Sequence, residues 1–180
     1  KEILGIKKFI DKGKKLIVVT GHRRESFGDK FYEFCNALKE LANREDVQII
    51  YPVHLNPNVQ KAVYDTLGNH SNILLIAPLD YEVFIWLLNQ SFLIITDSGG
   101  VQEEAPSLKK PILVTREVTE RQEAVEQGTV KLVGTNKVEI LKQAFSLLDD
   151  EKVYQDMVGN KNPYGDGTTS NQIVEILKFL

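Results

Sequence analysis

The sequence predicts an α/β fold built on a parallel, doubly wound sheet, and three observations carry that expectation. Six short apolar runs recur along the 180 residues, each rich in Ile, Val and Leu. None alternates apolar with polar residues, as strands buried on both faces need not. A stretch of helical periodicity follows each run, and repeated β-α units with right-handed crossovers give a parallel sheet covered on both sides.

The elements follow in order. A strand over 16–19 leads to a helix over 31–41 that sets Phe34, Cys35, Leu38 and Leu41 on one stripe. Strand 47–53 is followed by Asn56-Pro57, which starts a helix over 58–67, and strand 73–76 by Asp80, a fitting N-cap for a helix over 81–88. Strand 92–95 runs into TDSGGVQEEAPSLKKP, with a helix expected over 102–108. Strand 112–114, helix 120–126, strand 130–133 and helix 138–148 complete the series. A turn-rich NPYGDG loop then precedes an amphipathic helix from about Ser170, carrying Ile173, Ile176, Leu177 and Leu180. Such a helix needs an apolar surface, on this domain or on a second one.

Composition narrows the class. Hydrophobic residues at 42% and charged ones at 26% are those of a globular protein with a real core. A net charge of −3 argues against a broad basic surface for nucleic acid. The single cysteine, Cys35, excludes an internal disulfide and a cysteine-based zinc cluster, and fits a reducing cytoplasm. His22, His54 and His70 have neither the spacing nor the neighbouring acids of a metal site. There is no signal-like opening and no run of bilayer length, so no membrane role is expected. The first residue is Lys1, which suggests an excised piece, and nothing along the chain looks like a repeat, a low-complexity tract or an internal linker.

In a doubly wound sheet ligands sit outside the carboxyl ends of the strands, so the residues just after each strand matter most. After strand 92–95 comes Asp97-Ser98-Gly99-Gly100. Glycines allow close backbone approach, and the first amides of a helix carry positive partial charge, which together outline an anion site. The alternative is a plain strand-to-helix turn capped by Ser98, and the residues alone leave both open. After strand 16–19 comes GHRRESFG, where two arginines and a histidine can donate to phosphate and Glu25 can orient one of them. A solvated loop is the rival there, but position at a strand end favours function. His54 stands after strand 47–53, where a lone histidine is ordinarily structural, and Cys35 reads as core.

GHRRESFG, YPVHLNPNV, PLDY, TDSGGVQEEAPSLKKP, TERQEAVEQGTVKLVG and NPYGDG, in this order, resemble the non-hydrolysing UDP-N-acetylglucosamine 2-epimerases. The likeness is to the carboxyl-terminal half of that family. It implies a Rossmann-like domain spanning 1–180, one half of a GT-B type two-domain enzyme, with the helix of about 165–180 packing on an amino-terminal domain. It further implies that Ser98, Gly99 and Gly100 hold the UDP phosphates and that Glu104 accepts from the ribose hydroxyls. The segment from Leu79 to Phe84 would meet uracil, and Arg121 would stabilise negative charge in the cleft. His22 would face the diphosphate or sugar as the catalytic candidate of this half, the main catalytic carboxylates lying in the other. Arg23 and His54 match positions that border a second, regulatory UDP-N-acetylglucosamine in some members.

The resemblance implies UDP-GlcNAc and UDP-ManNAc as ligands, no cofactor, a cytoplasmic enzyme and a full-length homodimer. The chemistry would be loss of the C2 proton and of UDP to give 2-acetamidoglucal, then re-addition with the proton on the opposite face. Two positions depart from the family pattern: Gln122 stands where proline is common, and Lys109 where glycine is frequent. Two other classes remain as alternatives, a GT-B glycosyltransferase domain and a non-catalytic UDP-sugar sensing module.

Overall fold

The computed structural model describes residues 2–21 and 28–179. Its elements are α1 (Glu2–Phe9), β1 (Lys15–Thr20), α2 (Asp29–Ala42), β2 (Val47–Pro52), α3 (Pro57–Leu67), β3 (Ile73–Ile76), α4 (Tyr81–Gln90) and β4 (Leu93–Thr96). They continue with α5 (Gly99–Glu104), a 3-10 turn (Ala105–Leu108), β5 (Ile112–Val114), α6 (Gln122–Glu126), β6 (Val130–Leu132), α7 (Lys137–Asp149), α8 (Glu151–Gly159) and α9 (Thr169–Leu177). The strands form one sheet in the order β3-β2-β1-β4-β5-β6, with every neighbouring pair parallel. Strand order reverses between β1 and β4, where Thr20 pairs with Thr96 at the carboxyl ends. That switch point is the crevice in which such sheets receive ligands.

The strands do not alternate because both faces are buried. Along β1, Ile17 and Val19 pack with Phe34, Leu38 and Leu41 of α2, Val63 of α3 and Ile140 of α7. Leu16 and Val18 point the other way, to Ile6 of α1, Leu87 and Leu88 of α4 and Val101 of α5. Each such side chain contributes about 1.5–3 kcal/mol on leaving water, so a polar residue at any of the four positions would weaken one layer or the other. Cys35 lies in the first core, where burial pushes its thiol up to about 12.

Several boundaries differ from the sequence expectation. The helix expected over 102–108 opens three residues earlier, at Gly99, because Ser98 already has N-cap geometry, and residues 105–108 tighten into the 3-10 turn. Helix α6 begins at Gln122 rather than 120, while β2 and β6 each end one residue early. Asp80 occupies the N-cap position of α4 but its side chain makes no cap bond; its carbonyl accepts the Phe84 N–H at 2.9 Å. Asn56 and Asn136 do cap, accepting from Asn58 and Glu139. The sequence reading had no place for α1 or α8. Helix α9 forms as expected but buries no residue, leaving Ile176 63% and Leu177 61% exposed, so its apolar face is not covered by the described residues. Among the described residues no helix is long and apolar enough to cross a membrane.

Candidate functional site

The Thr20 and Thr96 hydroxyls meet at 2.5 Å across the switch point, and Thr96 Oγ1 also accepts the Ser98 N–H at 3.0 Å. This pulls the chain round from β4 into α5, where Ser98 Oγ accepts the Val101 N–H at 3.5 Å. Ser98 is therefore an N-cap, on a bond long enough to leave its hydroxyl weakly engaged. Neither following glycine has positive φ. Their requirement is spatial: a Cβ on Gly99 would lie 3.1 Å from Cζ of Arg121, whereas one on Gly100 would find only Ser98 Oγ within 4 Å, at 3.9 Å. Gly99 admits a guanidinium and Gly100 faces open space.

Arg121, just before α6, is held over this turn by charge. Its Nε donates to Glu103 Oε1 at 2.8 Å, its Nη2 lies 2.7 Å from the same oxygen, and Nη1 is 3.6 Å from Glu120. The buried Arg116, after β5, donates to both Glu120 oxygens at 2.7 and 3.1 Å. Cations and carboxylates thus alternate along the rim. Glu104, beside Glu103, accepts from the Tyr81 hydroxyl at 3.0 Å, a bond that raises the phenol's pKa and ties the start of α4 to the end of α5.

The structure brings Ser98, Gly99, Gly100 and Arg121 into one cluster, with Glu104 at the far end of the same short helix. Leu79, just before α4, and Phe84, within it, are half-buried against the core, and Tyr81 of the same segment bonds Glu104. His54 stands after β2, two strands from β4, with Nδ1 accepting the Asn56 N–H at 3.1 Å. His22 and Arg23 lie outside the described residues.

Sequence reasoning overlooked several polar residues here. Asp97, Gln102, Arg116 and Thr119 are all buried near the carboxyl ends of β4 and β5. Gln102 Nε2 donates to the Ser98 carbonyl at 3.2 Å, and its Oε1 accepts from the Thr119 hydroxyl at 2.7 Å. Beside the cluster a groove of 660 Å³ runs between Glu103, Glu104 and Lys109 on one wall and Tyr164 and Asp166 on the other. The Tyr164 hydroxyl is buried without a hydrogen-bond partner among the described residues, and burial raises its pKa, with Glu123 and Glu103 adding to the effect. Among the described residues no group of three His, Cys, Asp or Glu side chains is placed to hold a metal. Amides at a glycine turn beside an arginine, with the Glu104 carboxylate at the far end of the same short helix, suit a ligand with phosphate at one end and hydroxyls at the other.

Comparison with known proteins gives the same direction. A protein-family model for UDP-N-acetylglucosamine 2-epimerase matches residues 2–178. A UDP-N-acetylglucosamine 2-epimerase of Campylobacter jejuni is 59% identical over 169 residues, which are 93% of this chain and 44% of that protein. Among solved structures, an S. aureus MnaA–UDP co-structure aligns with a TM-score of 0.89 at 44% identity, over 97% of this chain and 47% of its own. The crystal structure of UDP-GlcNAc 2-epimerase from Neisseria meningitidis bound to UDP-GlcNAc aligns with a TM-score of 0.88 at 42% identity, over 99% and 50%. The chain spans about half the length of the curated relatives it matches.

Proposed function

The chain belongs to the UDP-N-acetylglucosamine 2-epimerase family, and from that premise we propose that it is the UDP-binding, carboxyl-terminal half of an enzyme interconverting UDP-GlcNAc and UDP-ManNAc. The observation that carries the reading is the Ser98–Gly100 turn at the sheet's switch point, open over Gly100 and flanked by the Arg121 guanidinium. On this reading the diphosphate lies over Gly100, taking the Ser98 hydroxyl and the turn amides, with Arg121 beside it. Glu104 receives the ribose hydroxyls, and the segment from Leu79 to Phe84 meets uracil. His22 faces the diphosphate or sugar; Arg23 and His54 border a regulatory second substrate molecule.

Elimination of UDP from the sugar leaves charge on the β-phosphate, so donors fixed around the turn act where charge develops. Re-addition of UDP to 2-acetamidoglucal reverses that step. Removal and return of the C2 proton need acid and base groups, which we assign to carboxylates of the amino-terminal half. Domain 1–180 would then be one of two facing across a cleft in a cytoplasmic homodimeric enzyme. The exposed face of α9, with Ile173, Ile176 and Leu177, suits packing against the other domain.

Calorimetric titration of the chain with UDP tests the reading. Binding in the range of about 1 µM to 1 mM is expected, weakened by both Ser98→Ala and Glu104→Ala. A folded chain that does not bind UDP overturns it. The chain alone is expected not to turn over UDP-GlcNAc, and measurable epimerisation by it would contradict the assignment of the proton-transfer groups to the other half.

A further inference from the structure

Gln102 is 0% exposed, and nothing above gives it a role. Its surroundings fix the sense of its amide. The Ser98 carbonyl can only accept, so it takes Nε2–H at 3.2 Å. The Thr119 hydroxyl accepts the Arg121 N–H at 3.2 Å and therefore spends its own proton on Gln102 Oε1 at 2.7 Å. A continuous path of hydrogen bonds thus runs from the backbone of the glycine turn, through one buried amide, to the backbone of Arg121. The Arg121 side chain then returns to the same turn, with Cζ 3.1 Å from where a Gly99 Cβ would stand. Glu103 holds the guanidinium from outside, where it is solvated, while Gln102 and the Thr119 hydroxyl link the two backbones from inside.

We propose that Gln102 is a positioning residue that holds the Arg121 loop against the Ser98–Gly100 turn, so that guanidinium and turn amides present one surface to a diphosphate. The inference rests on the UDP reading above, and it adds a residue that touches no ligand. A side chain that only fills the core would weaken binding by the same factor whether or not Arg121 is present. One that acts through Arg121 loses its effect when Arg121 is gone.

The test is a double-mutant cycle read by UDP titration on the chain, with Gln102→Leu and Arg121→Ala singly and together. Gln102→Leu is expected to raise the Kd for UDP about tenfold in the parent and less than about twofold beside Arg121→Ala. Equal factors in the two backgrounds, or no change in either, overturn the proposal while leaving the UDP site intact. Absence of UDP binding by the folded parent overturns the site and the proposal together. Should Gln102→Leu fail to fold, Thr119→Val takes its place in the cycle with the same expected factors. Thr119→Ser, which keeps the hydroxyl, should bind UDP as the parent does, and loss of binding in it would overturn the proposal.

Discussion

The two ends of the sheet are both polar, and they are polar in different ways. At the amino ends of β1 and β2 the polar groups clamp neighbouring segments, mostly from the surface, with Gln48 buried beneath them. Arg44 holds Asp46 and Asp149 at 2.7–2.9 Å, Lys15 reaches the Leu148 carbonyl, Gln48 bridges Phe9 and Asp11, and Asn72 donates to the Ala42 carbonyl. Their partners are mostly backbone groups or half-exposed carboxylates. At the carboxyl ends the polar groups are buried, as Thr96, Asp97, Gln102, Arg116 and Thr119 are, around a turn that opens onto Gly100. Burying polar and charged side chains costs free energy unless they are fully partnered. On the proposed reading, the end whose turn opens onto Gly100 receives the ligand, and the clamped end serves stability.

Gly99→Ala should separate the two most sharply. The new methyl would sit 3.1 Å from the Arg121 guanidinium carbon, and the end of that flexible side chain is what gives way. The Kd for UDP is expected to rise about tenfold, roughly 1.4 kcal/mol. Stability should rise instead, by up to about 0.5–1 kcal/mol, since alanine loses less backbone freedom than glycine in a helix. Loss of thermal stability together with unchanged affinity would break the comparison at its active end.

Arg44→Ala should do the converse. Its two carboxylate partners are 44% and 54% exposed, so the loss should be about 1 kcal/mol or less, with UDP affinity unchanged. Acid supplies a second reading of the same pairs. Hydrogen bonds from Arg44 hold both Asp46 and Asp149 below the usual carboxylate range. A folded-state pKa below the unfolded one gives stability that is present above about pH 4 and lost as pH falls through the folded value. Urea melts of the parent should therefore weaken below that pH, and those of Arg44→Ala should weaken less steeply. Identical acid limbs would show that the clamp does nothing for the fold.

The same contrast explains what could be read from the sequence. Strands of a parallel sheet buried on both faces must be continuous apolar runs, so all six were visible without any partner in view. Helix α8 buries no residue, its short stripe only resting Met157 on the core and Tyr154 on Phe92, and α1 is a short helix with Gly5 at its middle, so neither stands out in the sequence. The glycine turn was legible because Ser98, Gly99 and Gly100 are adjacent and follow a strand. Its supports were not. Gln102 and Thr119 are 17 residues apart and acquire meaning only when β4 and β5 pair and bring their loops together. The early start of α5 escaped notice for a local reason: glycine is a poor helix former, and a cap bond outweighs that at the first positions.

Lys109 lies on the border between the two regions and gives the smallest effect and the finest division. It ends the 3-10 turn in the left-handed conformation, φ 53° and ψ 50°, and is the non-glycine residue with positive φ among those described. A side chain there costs about 1–2 kcal/mol, while glycine would forfeit about 0.5–1 kcal/mol through its greater freedom in the unfolded chain. Lys109→Gly should therefore stabilise by about 0.5 kcal/mol, a rise of about 1–2 °C in Tm for a chain of this size. Lys109 lines the groove shared by Glu104 and Asp166 but lies outside the turn that meets phosphate on the proposed reading. UDP affinity should then stay within about twofold of the parent, since a solvated charge beyond direct contact is largely screened. A larger loss would move the boundary, making Lys109 part of the anion site, and would mean that the strain at its backbone is held for a cation that glycine cannot supply.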